Sequence, residues 1–214
     1  AGQHGLNLQA AINTSGTLYL SGETAAALSS GVNGISVNGI IGATGGVTFD
    51  AASDALIAVG GTLNGGTGNV GGLTKVGSGK LTLNTANAMK GVTLVSAGTL
   101  ALNNVNALQS STLDTGTSGA QQVTFALAGA NTYNIGALGL AGPGSGTPVY
   151  GADDLSIGAN TISLGANNNS TYYTGVISGT GNLIKTGTGT QRFAGANTYS
   201  GTTTINAGGA LQLG

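Results

Sequence analysis

Cysteine and tryptophan are absent from this 214-residue chain, methionine and histidine occur once each, and proline stands only at Pro143 and Pro148. Without cysteine there are no disulfides and no thiolate metal sites. Charge is almost as scarce: five Lys and Arg against six Asp and Glu make 5% of the chain, where an ordinary domain carries about 25%. The net charge is -1 and no basic run exists, which removes the electrostatic term that dominates binding to nucleic acid and to anionic membrane surfaces. Neither is expected as a partner. No stretch approaches the roughly 18 apolar residues of a transmembrane helix, and no basic segment leading into an apolar one marks a signal peptide. The chain begins AGQHG without Met, and so reads as a processed product or an excerpt.

Glycine is abundant, at 42 residues, and 40% of the chain is hydrophobic. Glycine does not recur every third residue, which excludes a collagen helix. Regularly placed Leu, Ile and Val exclude a disordered linker. Apolar residues alternate in short segments: Leu6 and Leu8, Leu18 and Leu20, Val47 and Phe49, Leu81 and Leu83, Leu100 and Leu102, Val123 and Phe125, Ile162 and Leu164, Leu211 and Leu213. Period two is the signature of half-buried strands. Between them lie Gly-Asn, Asn-Gly, Ser-Gly and Gly-Thr steps suited to tight corners. The one helical candidate, Glu23 to Ser29, is about two turns long.

The chain repeats itself. Residues 73–102 overlay 183–213 with one inserted residue: Leu73, Lys75, Gly77, Gly79, Asn87, Gly91 and Thr93 meet identical residues 110 positions on, and Leu100 and Leu102 meet Leu211 and Leu213. The pentapeptide GANTY occurs at Gly129–Tyr133 and again at Gly195–Tyr199, 66 residues later, and marks a partial copy over 125–135. Both spacings are multiples of 22, as they are of 11, so a coil of roughly 22 residues accounts for them. A unit of that length cannot bury its own core and must stack. The expectation is an all-β fold, a single parallel β-solenoid over residues 1–214, with nine or ten coils in a rod about 45 Å long. Uncharged Asn, Thr and Ser at equivalent positions would form ladders between coils. The alternative is an antiparallel β-sandwich, which also has many short strands and glycine turns.

The segment GNLIKTGTGTQRFAGANTYSGTTTINAGGALQLG, Gly181 to Gly214, resembles the autotransporter-associated β-strand repeat of bacterial passenger domains. It carries Leu-x-Lys-x-Gly-x-Gly, then Gly-x-Asn-Thr-Tyr-x-Gly-x-Thr-x-Ile, then Gly-x-Leu-x-Leu-Gly. In the earlier copy Asn87 stands, but Ala88 and Met89 replace Thr and Tyr. The resemblance implies a secreted or cell-surface parallel β-helix with structural, adhesive or stalk-like roles, and it carries no catalytic residues.

Candidates for chemistry are few. His4 has no orienting carboxylate nearby in sequence and reads as a solvated terminal residue. Asp153 and Asp154, or these with Asp50 and Asp54, could form an acid-base pair or a calcium site, but adjacent strand residues face opposite ways and a solvated turn is the simpler reading. Gly66, Gly68 and Gly71 formally make G-x-G-x-x-G, yet no helix pattern follows, so they read as a solenoid corner. Lys75 and Lys185 share one repeat position and read as outward residues that discourage lateral sticking of sheets. Tyr133 and Tyr199 read as corner packing. Tyr172 and Tyr173 read as packing, with an exposed sugar-stacking surface as the alternative. No catalytic, cofactor or metal residue is assigned, and no enzyme activity is expected.

The expected function is that of a structural or adhesive module of a longer repetitive surface protein or a head-to-tail fibre. Its partners would be copies of itself or neighbouring repeats at the end coils, with a surface glycan or host receptor as the candidate external ligand. The competing reading is a carbohydrate-binding or carbohydrate-cleaving β-helix, which needs carboxylates and aromatic platforms along one groove.

Overall fold

The computed structural model describes residues 6–8, 12–22, 34–37, 41–51, 56–59, 61–116, 119, 121–141, 154–206 and 208–214. The helical candidate Glu23 to Ser29 lies outside them. Among the described residues no helix is long and apolar enough to cross a membrane.

The architecture is a parallel β-solenoid. One long sheet of nine strands runs through Leu18–Gly22, Val47–Ala51, Leu73–Val76, Val92–Val95, Leu108–Asp114, Thr132–Leu138, Thr161–Leu164, Leu183–Lys185 and Thr203–Ile205. Neighbours in this sheet are parallel throughout. Each long-sheet strand leads into strands on other faces before the chain returns one coil higher. A six-stranded sheet takes Leu6–Leu8, Gly34–Val37, Leu56–Val59, Lys80–Leu83, Gly98–Leu102 and Gln121–Phe125. A four-stranded sheet takes Leu140–Ala141, Thr171–Tyr173, Thr190–Phe193 and Ala210–Leu213. Two pairs complete the set, Ile12–Thr14 with Ile41–Ala43 and Leu155–Gly158 with Ile177–Gly179. Among the described residues one strand pairing is antiparallel, setting Leu140 against Tyr172 and Ala141 against Thr171.

Register gives the coil length directly. Leu73 pairs with Thr93 and Leu183 with Thr203, a step of 20 in both repeat copies. Leu18 pairs with Val47 and Tyr133 with Ile162, each a step of 29. Steps from 19, at Leu81 with Leu100, to 29 bracket the expected coil of roughly 22, the longer ones absorbing insertions at the corners. The shared GANTY pentapeptides are out of register: Tyr133, two residues after Asn131, lies in the same column as Thr203, six residues after Asn197.

Alternation explains the core. Leu81 and Leu83 point in and are fully buried while Lys80 and Thr82 face out. One continuous cluster runs from Leu20 and Phe49 through Leu73, Leu100, Leu113 and Ile135 to Leu183 and Phe193. Aromatic pairs fill its wider parts, Phe125 edge-on to Tyr133 at 4.7 Å and Tyr173 edge-on to Phe193 at 6.5 Å between centroids. Polar side chains bridge coils in pairs: Asn103 to Asn84 at 2.9 Å, Asn134 to Asn106 at 2.6 Å and Thr93 to Ser111 at 2.8 Å. These are the expected ladders, broken into steps because coil lengths differ.

Corners need glycine where successive coils touch backbone to backbone. A Cβ on Gly181 would lie 1.8 Å from the Asn160 carbonyl oxygen, and one on Gly71 would lie 2.0 Å from that of Ala43. The G-x-G-x-x-G run is one such corner. It bends through a 3-10 turn at Thr67–Asn69 with Gly66 and Gly68 at φ 67° and 73°, and Gly66 sits against Thr44 of the coil below.

Candidate functional site

The repeat motif Leu-x-Lys-x-Gly-x-Gly is built around a buried lysine. Leu73 and Lys75 lie two apart on one strand and therefore share its inward face. Lys75 is 0% exposed and Lys185 2% exposed, which corrects the expectation that both face solvent. Gly77 and Gly187 have φ of 73° and 64°, and the turn they make aims its carbonyl oxygens at the lysine. Lys75 Nζ donates to the carbonyls of Val76 at 2.6 Å, Gly77 at 2.7 Å and Ala97 at 3.2 Å. Lys185 Nζ repeats the arrangement with Thr186 and Gly187, the latter at 3.2 Å. An ammonium thus closes a turn whose carbonyls would otherwise be buried without donors. Burial lowers the Lys75 pKa from 10.5 to about 8, opposed by the charge of Asp50, and burial also lowers that of Lys185.

The second fixed point is Asn87, 1% exposed. Its Oδ1 accepts from Leu63 N at 2.8 Å, and its Nδ2 donates to the Ala107 carbonyl at 3.0 Å and to that of Thr85 at 3.3 Å. One side chain therefore ties three successive coils. Asn197, its counterpart, accepts from Ile177 N at 2.8 Å. Where the first copy has Leu81 the second has Gln191, also buried. Gln191 Nε2 donates to the Leu138 carbonyl at 2.9 Å, while its Oε1 accepts from Leu138 N at 3.2 Å and from Thr171 Oγ1 at 2.8 Å. The amide pairs Leu138, the last residue of its long-sheet strand, three residues beyond Ile135, where the pairing with Thr161–Leu164 ends.

The acidic residues that the structure describes each have a separate partner. Asp50 accepts from Tyr19 Oη at 2.5 Å, an interaction that raises the tyrosine pKa. Asp114 Oδ1 caps the turn at Gly116 N, at 2.9 Å. Asp154 Oδ1 accepts from Val176 N at 2.8 Å. His4, Glu23, Asp54 and Asp153 lie outside the described residues. Among the described residues no three His, Cys, Asp or Glu side chains cluster as metal ligands. Tyr173 is buried, whereas Tyr172 faces out beneath the Arg192 guanidinium, 5.0 Å from its ring centre.

A cleft of about 640 Å³ lies between Gln121–Phe125 and Leu155–Gly158. Gln122, Thr124, Phe125, Ser156 and Ser178 line it, with Asp154 as its one charged group. Among the described residues Asp154 is the one carboxylate at this cleft, and a backbone amide already engages it.

A rod of stacked coils whose recurrent polar groups, the lysine turn and the inter-coil asparagine, are structural defines a solenoid repeat protein. Residues 73–102 and 183–213 both match the passenger-associated-transport repeat, so the chain carries two copies of the repeat found in autotransporter passengers and belongs to a secreted, cell-surface protein. It is 31% identical over 184 residues to the adhesin BmaC autotransporter of Brucella suis biovar 1 (strain 1330), an alignment covering 81% of this chain and 5% of that protein. The chain thus spans a small part of the length of this relative. No solved structure matches it.

Proposed function

We propose that the chain is one β-solenoid unit of a longer surface rod, which acts as a rigid spacer and contributes to attachment, without enzymatic activity. The observation that carries this reading is the stacking itself: nine strands in one unbroken parallel sheet, with the buried lysine turn repeated at Lys75 and Lys185, make an architecture that extends by adding coils and whose recurrent polar groups are taken up in holding its own turns. The passenger repeats and the adhesin relative support the surface role.

Two measurements test it. Appending one more repeat coil after Gly214 should raise the melting temperature and remove concentration-dependent self-association; no change in either refutes stacking at this end. Beads coated with the folded chain should adhere to host cells or matrix above the level of beads coated with an unrelated β-solenoid. Equal adherence refutes the adhesive part and leaves the spacer.

A further inference from the structure

We propose that Asn64 is a site of spontaneous covalent modification: the Gly65 amide nitrogen attacks the Asn64 side chain, ammonia leaves, and water opens the resulting succinimide to aspartate or isoaspartate. This goes beyond the spacer reading, and the only co-reactant is water.

Among the described residues Asn64–Gly65 is the one Asn-Gly step, and its corner sets the reacting groups in place. Asn64 N donates to the Ile41 carbonyl at 3.0 Å, which ties the residue to the coil below. Its Oδ1 accepts from Gly66 N at 2.9 Å. That bond orients the side-chain amide and puts a donor where negative charge develops as Cγ becomes tetrahedral. Gly65, between these two anchored nitrogens, is buried, and its N–H finds no acceptor among the described residues. Such an orphaned buried N–H is rare. This nitrogen is the nucleophile, and no hydrogen bond has to break to free it. Lacking a Cβ, Gly65 also puts no side chain in the path of attack.

The side chain of Asn64 rests on a gap in the coil below. Ile41 bridges Leu63, so Gly42 lies beside Asn64, and a Cβ on Gly42 would come 2.8 Å from Asn64 Oδ1. Asn13, Ser15, Thr44 and Thr67 line a notch of about 410 Å³ with them, polar enough to hold the water that the second step consumes. The atoms balance. The bond from Gly65 N to Cγ forms as that from Cγ to Nδ2 breaks, the Gly65 proton leaves with the amide group as ammonia, and hydrolysis adds one water. The product carries one more negative charge in a chain of net charge -1. Aspartate keeps the bond from Gly66 N. Isoaspartate lengthens the main chain by one carbon where a Cβ on Gly65 would already lie 2.8 Å from the Asn69 and Gly71 carbonyl oxygens, and so opens the corner.

The test incubates the whole chain, folded and in urea, at pH 7 and pH 8.5. A mass gain of about 1 Da is located by fragmentation, and isoaspartate is read in the same digest. Asn64 in the folded chain should convert within threefold of its rate in urea and faster at the higher pH. Gly42→Ala is the positioning variant. Its Cβ meets only the ends of the Asn13 and Asn64 side chains, so the coils still stack while the Asn64 amide is pushed off Gly66 N. It should slow conversion at least fivefold in the folded chain and leave the rate in urea unchanged. A folded chain whose Asn64 stays intact after the urea sample has converted would overturn the proposal. Equal folded rates for the native chain and Gly42→Ala would overturn it too, because the corner would then do nothing to position the amide.

Discussion

Raising the pH from 7 to 9 should stabilise this protein, and most of the effect should be lost when Lys75 is replaced. The Lys75 pKa is lowered from 10.5 to about 8 in the folded chain, so between these values the unfolded state holds the proton more tightly. Stability therefore rises with pH across that window, because the unfolded chain binds more protons there. For one group titrating near pH 8, the gain between pH 7 and 9 is about 1 kcal/mol, with Lys185 adding in the same direction. Above pH 10 the raised pKa of Tyr19 works in the opposite sense, which confines the useful range. The assay is the urea midpoint by circular dichroism at half-unit pH steps, for the native chain and for Lys75→Met. The methionine stem fills the same channel but leaves the carbonyls of Val76, Gly77 and Ala97 without their donor, so the variant should be less stable by about 2 kcal/mol at pH 7. A flat or falling profile in the native chain would refute the reasoning, and so would an unchanged slope in the variant.

Asn87→Ala leaves Leu63 N and the Ala107 carbonyl unpaired and should cost about 3 kcal/mol, against about 1 to 2 for Asn197→Ala, which has one inter-coil bond; equal losses in denaturant titrations would contradict the three-coil tie. Gly181→Ala drives a Cβ into the Asn160 carbonyl and should lower stability by at least about 3 kcal/mol, whereas Gly129→Ala, whose Cβ would meet nothing within 4 Å, should cost only about 1 to 2 for its positive φ. Gln191→Leu installs the side chain found at the first copy's equivalent position, yet it should speed hydrogen exchange at Leu138, because the pairing with Thr161–Leu164 ends at Ile135.

The stacking of coils was legible because residues 73–102 and 183–213 preserve spacing as well as identity, and each copy turns out to hold two long-sheet strands 20 residues apart. The strands of the core were legible from alternation alone. Lys75 was misjudged because its charge was given more weight than its parity. Leu73 and Lys75 differ by two, and the same rule that puts Leu73 inside puts Lys75 beside it. The positive-φ glycine that follows was the second signal, since such a turn points carbonyls at a donor. The GANTY spacing misled because insertions at the corners move identical words to different columns. The cleft had no local signature: it exists where one sheet stops and its neighbour continues, and that depends on how nine coils of unequal length settle against one another.

The unbroken long sheet and its interrupted companion give the rod an unequal mechanical character. Inter-coil hydrogen bonds run along the axis, so a pull on the ends loads every coil in series and the weakest junction yields first. Along the long sheet that load passes through continuous parallel pairing. At the level of Phe125 the opposite wall shows no such link among the described residues, and the rod should flex there as a beam notched on one side before any coil separates.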